Sequence, residues 1–424
     1  MKYVPHDYQT YATKFIEEHP VAAVLLDMGL GKTFVGSEKM LQLNARINLV
    51  VCQKSKVEDW VEHFAENYRY IVLDLTKKKD FEKFIEIITT ESFVPFPQFV
   101  GVINYDLIWR REELSKLKYF SLMLDESSLI QNETSKRSRF ILKRLHPENV
   151  ILLSGTPTGG KYEKLWSQCH LLGWSITKGA YWNTFVKYHF DDKNGFPLKI
   201  VDGYKNVDRL KSKLREHGAV FMKSDEVFDL PQQIFTNIKV NTSTEYRKFK
   251  KTSIIKYNGR DLLGDTTLTK MLYLRMLCNN KDKIQAFKDL LNSTEDRLIV
   301  FYNFVSELSA LLEAVEDRPI SIVNGETKDL EAYEKSENSV IFIQYTAGAM
   351  GLNLQKANKI VYYAPPLSSE IFEQSKKRTH RIGQEKTCYY YKLICRGSIE
   401  EKIYRTLEMR KNYTERLFEE DENC

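Results

Sequence analysis

Short apolar runs that alternate with longer amphipathic stretches limit what this 424-residue chain can fold into. The runs are residues 21–27, 48–52, 70–75, 99–104, 121–125 and 149–154 in the first half, and 297–302, 320–324, 339–344, 359–364 and 389–394 in the second. Several are nearly continuous Val, Ile and Leu, which is typical of strands covered on both faces. The pattern therefore predicts an α/β fold built on parallel sheets.

The two sets of runs predict two α/β domains, residues 1–228 and 229–424. From about residue 162 to 280 the sequence becomes richer in Lys, Tyr and helical periodicity. Leu268, Met271, Leu272 and Met276, for example, would share one helical face. We therefore expect a helical extension from about residue 162 in the first domain and a helical insertion at about 243–280 in the second.

Composition and charge narrow the class of protein. The chain is 42% hydrophobic and 28% charged, with a formal net charge of +6, so it can bury a core and permits a polyanionic partner without requiring one. Its six cysteines are scattered with no Cys-x-x-Cys pair, which argues against a disulfide framework or a zinc site. No apolar run approaches the roughly 20 residues of a membrane helix. We expect a soluble, intracellular protein with no membrane partner.

The run at 21–27 leads into the sequence MGLGKT at residues 28–33, and a helix-compatible stretch follows. Glycines let backbone N–H groups surround a phosphate, and a helix N-terminus favours the same anion. Lys32 would reach the β- and γ-phosphates, and the Thr33 hydroxyl would ligate Mg²⁺. The motif is incomplete, since Leu26 stands where a phosphate-binding loop has its first Gly. A chance turn is the alternative interpretation.

Asp125 and Glu126 end another buried strand. Adjacent carboxylates leaving a buried strand are costly without a positive partner, and Mg²⁺ on a triphosphate would supply one. Asp125 would then hold the metal through water, and Glu126 would polarise the attacking water. Without the loop at 28–33, an ordinary strand-end loop would be the better interpretation.

A basic segment, QSKKRTHRIGQ at residues 374–384, lies near the other end of the chain. Arg378 and Arg381 are three residues apart, so on a helix they would share a face and repel each other unless an anion lay between them. They are either arginine fingers on the γ-phosphate or part of a solvated or nucleic-acid-binding basic helix.

Taken together, the motifs resemble the Swi/Snf-type translocating ATPases of helicase superfamily two. The resemblance spans about residues 5–409. It rests on DYQ (7–9), MGLGKT (28–33), VVCQKS (50–55), NYD (104–106), DE (125–126), LSGTP (153–157), LIVF (298–301), AGAMGLNL (347–354), HRIGQ (380–384) and GSIEE (397–401). Any one of these motifs could be accidental, whereas the whole series in this order is very hard to obtain by chance.

The resemblance implies two RecA-like lobes, ATP and Mg²⁺ as cofactors, and double-stranded DNA as the expected partner. The nucleotide-binding residues that it implies are Gln9, Met28, Gly29, Leu30, Gly31, Lys32, Thr33, Gly351 and Asn353. The catalytic residues would be Lys32, Asp125, Glu126, Arg378 and Arg381, the two arginines acting when the lobes close, with Thr33 and Asp125 at the metal. Contacts to the nucleic-acid backbone would come from Gln53, Lys54, Ser55, Asn104 and Tyr105.

The implied activity is ATP hydrolysis that drives translocation along DNA and remodels DNA or protein–DNA complexes, in a minimal viral or bacterial member of the family. Ser127 and Ser128 depart from the usual Ala-His, so coupling to the ATP site is expected to differ. A strand-separating helicase stays open as an alternative, although the sequence shows no wedge element. An ATP-gated clamp is the other alternative, but a clamp has no need of a catalytic base such as Glu126. The choice between DNA and RNA stays open.

Overall fold

The computed structural model describes residues 4–89, 97–155, 161–191, 197–257, 259–345 and 352–418, except for the side chains of residues 198 and 410–418. The chain divides into two compact units, which are Met1–Val227 with Asn412–Cys424, and Phe228–Lys411. In the described part of the chain, no helix has both the length and the apolar character needed to cross a membrane.

The first unit is built on a seven-stranded sheet in which every pairing is parallel. Its strands are β1 (Val21–Leu26), β2 (Ile47–Cys52), β3 (Ile71–Asp74), β4 (Phe99–Asn104), β5 (Phe120–Asp125), β6 (Asn149–Leu153) and β9 (Ala219–Met222), and an antiparallel hairpin adds β7 (Val186–Asp191) and β8 (Leu198–Tyr204). The order across the sheet is β3-β4-β2-β5-β6-β1-β9.

Helices connect these strands as the parallel pairings require. They are α1 (Asp7–Phe15), α2 (Lys32–Leu43), α3 (Val57–Asn67), α4 (Lys78–Thr89), α5 (Tyr105–Ile108), α6 (Lys136–Lys143), α7 (Trp166–Leu171), α8 (Lys178–Phe185) and α9 (Val207–Glu216). Strands β2 and β4 are buried along their whole length, which explains their unbroken apolar sequences.

The second unit contains a six-stranded sheet, again parallel throughout, in the order β10-β17-β16-β13-β15-β14. Its strands are β10 (Gln233–Val240), β13 (Leu298–Tyr302), β14 (Ile320–Val323), β15 (Val340–Gln344), β16 (Lys359–Tyr362) and β17 (Cys388–Cys395), with an antiparallel hairpin of β11 (Ile254–Tyr257) and β12 (Arg260–Leu263). Its helices are α10 (Thr244–Thr252), α11 (Thr267–Met276), α12 (Lys281–Asn292), α13 (Val305–Ala314), α14 (Glu331–Lys335), α15 (Ser369–Lys376) and α16 (Ile399–Phe418).

The predicted α/β class with parallel sheets is confirmed, and all the apolar runs contain strands. The stretch from residue 162 to 280 contains the helices α7 to α11 and also the strands β7 to β12, which its sequence did not indicate. Helix α11 forms, but Leu268 is 71% exposed while Leu274 is buried, so the predicted apolar stripe is not its core face. The division into an ATP-binding lobe and a helicase lobe at residues 228/229 stays a prediction.

Candidate nucleotide-binding site and adjoining groove

Three motifs that are far apart in the sequence meet at one edge of the first sheet. Strand β6 lies between β5 and β1, and all three run parallel, so their carboxyl ends open on the same edge. The loop at 28–33 follows β1, Asp125 ends β5, and Ser154 follows β6. This is the edge at which open α/β sheets bind ligands.

Lys32 is the first residue of α2, directly after the left-handed Gly31. Its Nζ donates to the backbone oxygens of Leu26 at 2.8 Å and of Asp27 at 3.1 Å. The end of β6 closes against it, because a Cβ on Gly155 would lie 3.2 Å from the Lys32 Nζ and 3.4 Å from the Leu26 oxygen. The ammonium group is thereby held where a phosphate-binding loop needs its cation.

Gly31 precedes α2 in a left-handed conformation, with φ of 75°. A Cβ there would lie 2.3 Å from the Nε2 of Gln9, so any other residue would have a strained backbone and would displace the Gln9 amide. The buried Gln9 donates from Nε2 to the Leu30 oxygen at 3.2 Å and accepts at Oε1 from the His6 N–H at 3.0 Å. Gln9 therefore braces α1 against the loop, and its role in adenine recognition stays a prediction.

Ser224 is a loop contact that sequence reasoning missed. Its backbone N–H and its hydroxyl donate to the Asp27 Oδ2 at 3.1 Å and 3.3 Å. Ser224 follows β9, a strand that the apolar pattern did not predict and that pairs with β1. Only the sheet order brings these two residues together, so no local signal could have indicated the contact.

A hydrogen bond from helix α3 holds the Asp125 carboxylate in place. The Trp60 indole N–H, on α3, donates to Asp125 Oδ2 at 2.9 Å. Burial raises the pKa of Asp125, and the Trp60 hydrogen bond and the charge of Lys32 oppose that rise. The carboxylate thus has one fixed orientation and a nearby cation.

Glu126 has a strained backbone and a tightly bound side chain. Its φ of 55° lies in the left-handed region, which is rare for a residue with a Cβ and concentrates at functional sites. Its Oε1 accepts from the hydroxyls of Ser154 at 2.8 Å and Ser128 at 3.1 Å. Burial raises the pKa of Glu126, the Lys32 ammonium opposes this, and the Asp125 charge adds to it. Ser128 therefore donates a hydrogen bond to the candidate base. At this position the family that the sequence resembles usually has His.

The donor set fits ATP with Mg²⁺. The Thr33 hydroxyl and the Asp125 carboxylate are hard oxygen ligands of the kind Mg²⁺ prefers. The charge of Lys32 opposes the rise in pKa of both half-buried carboxyl groups of the acidic pair. A divalent cation would add positive charge beside them. Thr156, Pro157 and Gly351 lie outside the described residues.

The predicted helix carrying Arg378 and Arg381 is wrong, because α15 ends at Lys376 and the chain turns before either arginine. Arg378 is buried, and its Nη1 donates to the Leu352 oxygen at 3.4 Å. Its own oxygen accepts from the Leu354 N–H at 3.2 Å, so it fixes the segment that contains the exposed Asn353. Arg381 is half-buried, and burial lowers its pKa.

These environments predict different consequences for the two arginines. Arg378→Ala should lower the melting temperature, because it leaves the buried Leu352 oxygen without this donor. Arg381→Ala should leave the melting temperature within a degree or two and, if it acts as an arginine finger, lower stimulated ATP turnover by about 10³-fold or more. Thermal unfolding beside steady-state ATPase rates distinguishes them. Normal turnover with weakened DNA binding in Arg381→Ala would assign it to a basic nucleic-acid patch.

The predicted nucleic-acid contacts lie beside a groove next to the acidic pair. Strands β2 and β4 are neighbours, and their register places Asn104 opposite Cys52, so the segment Gln53–Ser55 follows alongside. The groove has a volume of about 730 Å³ and is lined by Lys54, Val57, Glu58, Val61, Glu62, Asp74, Thr76, Lys77, Asn104, Asp106, Leu107 and Arg110. Lys54, Lys77 and Arg110 are its exposed cations.

Among the predicted nucleic-acid contacts, Tyr105 differs because its hydroxyl faces the acidic pair. It is 2% exposed, and its hydroxyl donates to the backbone oxygen of Asp125 at 2.9 Å. Gln53 is half-buried, Lys54 and Ser55 are exposed, and neither Gln53 nor Ser55 lines the groove. The geometry thus favours Lys54 and Asn104, which line the groove, for contact with a ligand. Tyr105 does not line the groove and instead contacts the backbone of Asp125.

Comparison with known proteins assigns the family. The SNF2-related domain matches residues 17–283, more than half of the chain, and the helicase conserved C-terminal domain matches residues 282–383. The chain belongs to the SNF2-related family. The two family domains meet at residues 282–283, whereas the compact units of this SNF2-related chain meet at Val227 and Phe228.

Relatives of this SNF2-related chain are longer. The ISWI chromatin-remodeling complex ATPase ISW1 of Saccharomyces cerevisiae is 25% identical over 92% of this chain and 38% of its own length. The SWI/SNF-related matrix-associated actin-dependent regulator of chromatin subfamily A member 1 of Mus musculus is 25% identical, covering 93% and 41%. An uncharacterized ATP-dependent helicase of Mycoplasma genitalium is 23% identical, covering 98% and 42%. The chain spans about two fifths of the length of these relatives.

Among solved structures, the SWI2/SNF2 ATPase core of Sulfolobus solfataricus in complex with double-stranded DNA aligns with 98% of this chain and 93% of its own. The TM-score is 0.46 and the sequence identity is 19%.

Among the residues that the structure describes, a second group of side chains has the composition of a metal site. Cys278, Cys395 and Glu400 are buried in the second unit with ligand atoms within 4.8 Å of one another. The Lys283 Nζ, however, lies 2.5 Å from Glu400 and is itself buried. The ammonium already supplies the positive charge at that point, so the cluster has the character of a buried ion pair.

Proposed function

We propose that this SNF2-related chain is an ATPase that binds Mg²⁺ and ATP and uses hydrolysis to translocate along double-stranded DNA, remodelling DNA or protein–DNA complexes. The observation that carries the proposal is the convergence of Lys32, Asp125 and Glu126 at one sheet edge, with the Glu126 carboxylate oriented by two hydroxyls. A protein that only clamps nucleic acid has no need of an oriented base.

The roles follow from the geometry. Lys32 would bind the terminal phosphates, since its ammonium is held at the loop by the backbone oxygens of Leu26 and Asp27, which anionic phosphate oxygens can replace as acceptors. Thr33 and Asp125 would hold Mg²⁺, which would balance negative charge on the phosphates. Glu126 would orient and deprotonate the attacking water, and the Ser154 and Ser128 hydroxyls, which orient its carboxylate, support this role.

Backbone contact is the proposed mode of nucleic-acid binding. Lys54 and Arg110 are exposed cations in the groove beside the acidic pair, and phosphates are what such cations bind. The groove also carries carboxylates at Glu58, Glu62 and Asp106, so the attraction should be modest and strongly weakened by salt. Relatives named as chromatin-remodeling ATPases favour DNA as the partner.

The test compares ATPase rates with length-matched single-stranded DNA, duplex DNA and duplex RNA. Duplex DNA should stimulate most, and Lys32→Ala should be inactive with every ligand. A second assay measures displacement of a third strand from a DNA triplex beside unwinding of a forked duplex. Triplex displacement without unwinding supports translocation. Unwinding would assign the chain to the strand-separating class, and rates that no nucleic acid changes would overturn the proposed function.

A further inference from the structure

Two helices line the groove on one face and contact Asp125 with the other. Glu58 and Val61 of α3 face the groove, while Trp60 between them is buried and donates to the Asp125 Oδ2 at 2.9 Å. Helix α5 likewise has one residue at the groove and a buried neighbour. Asp106 faces the groove, and Tyr105, the residue before it, is buried.

The two buried residues bind the same acid at two points. Trp60 holds the side chain of Asp125, and the Tyr105 hydroxyl holds its backbone oxygen at 2.9 Å. Trp60 and Tyr105 are 4% and 2% exposed, so neither can touch a ligand that lies in the groove. They can only transmit what happens there.

Helix α3 also contacts α2, the helix that follows the phosphate-binding loop. His63 Nε2 lies 3.0 Å from the Ser37 hydroxyl, and Ser37 belongs to α2, the helix that begins at Lys32. A displacement of α3 by a ligand in the groove would therefore act on both sides of the candidate nucleotide site. Contacts of this kind are short, direct and polar, and they form a continuous connection from groove to site.

We propose that Trp60 and Tyr105 are positioning residues that couple nucleic acid in the groove to the Asp125–Glu126 pair, so that hydrolysis accelerates when the groove is occupied. This inference rests on the proposed function and adds its regulation. Coupling free energies between sites typically change affinities by about 5–150-fold.

The experiment removes each hydrogen-bond donor and keeps an aromatic ring at each position. Trp60→Phe and Tyr105→Phe are compared with the wild-type chain for the ratio of duplex-stimulated to unstimulated ATPase rate, at saturating duplex and ATP. We expect the ratio to fall about tenfold for Trp60→Phe, which loses a bond to a charged group, and about threefold to fivefold for Tyr105→Phe. The ratio is the chosen quantity because a purely local effect on Asp125 lowers both rates together.

A binding measurement gives a second readout that does not depend on turnover. Coupling is reciprocal, so a non-hydrolysable ATP analogue with Mg²⁺ should change the duplex dissociation constant of the wild type. That change should shrink in both variants, while the duplex affinity without nucleotide stays within about twofold of wild type. Lys54→Ala should show the opposite pattern, with weaker duplex binding and a near-normal stimulation ratio at saturation.

Matched controls exist in the same unit. Within the described part of the chain, the Trp182 indole N–H and the Tyr70 hydroxyl are buried without a hydrogen-bond partner. Trp182→Phe and Tyr70→Phe therefore make the same chemical changes and should keep the wild-type ratio.

The outcomes separate the two proposals. A wild type that no nucleic acid stimulates overturns the proposed function. A stimulated wild type with equally stimulated Trp60→Phe and Tyr105→Phe variants overturns the coupling alone. Loss of duplex affinity in these variants, or equal loss of stimulated and unstimulated rates, also overturns it, because the residues would then act in binding or only in local structure.

Discussion

Glu126→Gln is expected to lower ATP turnover by about 10²–10⁴-fold, the contribution usual for a general base, while ATP affinity stays near wild type. Glutamine has the shape of glutamate and keeps an oxygen that can accept from the Ser154 and Ser128 hydroxyls, so the positions of the side chain and the loop should survive. The substitution removes the negative charge and the ability to take a proton. Single-turnover hydrolysis beside titration with a fluorescent ATP analogue and Mg²⁺ measures the two quantities separately.

Ser128→Ala is the graded control for this variant. It removes one of the two hydroxyl donors to Glu126 Oε1 and leaves the carboxylate, so a loss of about threefold to tenfold is expected. Near wild-type turnover in Glu126→Gln would show that another group activates the water. Loss of nucleotide binding would instead show that the charge of Glu126 holds the loop.

The sequence predicted the strands well because a strand buried on both faces must be apolar along its whole length. The same runs placed Asp125 and the loop at 28–33 at strand ends, and parallel pairing then brought them to one edge. Strands such as β7 and β10 were missed, since β10 is exposed or half-buried along its length and carries no such signal.

The partners of the site residues were less predictable. Trp60 is 65 residues from Asp125 and Ser224 is 197 residues from Asp27, so their contacts depend on sheet order and not on local pattern. The spacing of Arg378 and Arg381 suggested a shared helical face, but spacing has that meaning only inside a helix, and α15 ends before both.

The buried ion pair of the second unit should have the largest effect on stability. Lys283 near the start of α12 and Glu400 in the first turn of α16 are 1% and 2% exposed at their side chains and 2.5 Å apart. Burial acts to lower the pKa of Lys283, and the charge of Glu400 with its neighbours outweighs it, so the pKa is raised above 10.5 and the lysine is charged. Each charge is tolerated in the interior only because of the other.

Lys283→Met keeps most of the lysine volume and leaves the Glu400 carboxylate buried without its cation. Breaking a buried pair in this way costs about 3–5 kcal/mol, a large fraction of the stability of one domain. The double variant Lys283→Met with Glu400→Gln should recover most of that loss, because the new amide is neutral and its oxygen can still accept from the Cys395 N–H, which donates to Glu400 Oε2 at 3.0 Å.

The distribution of tryptophan makes the measurement specific. All five tryptophans of the chain, Trp60, Trp109, Trp166, Trp174 and Trp182, belong to the first unit. Urea unfolding followed by circular dichroism should therefore show an early transition in Lys283→Met, while the transition in tryptophan fluorescence keeps its wild-type midpoint. Equal destabilisation of the single and double variants would mean that the cost comes from losing the contact between the ammonium and the Tyr363 ring, whose centroid lies 4.9 Å from Nζ, and not from the unpaired carboxylate.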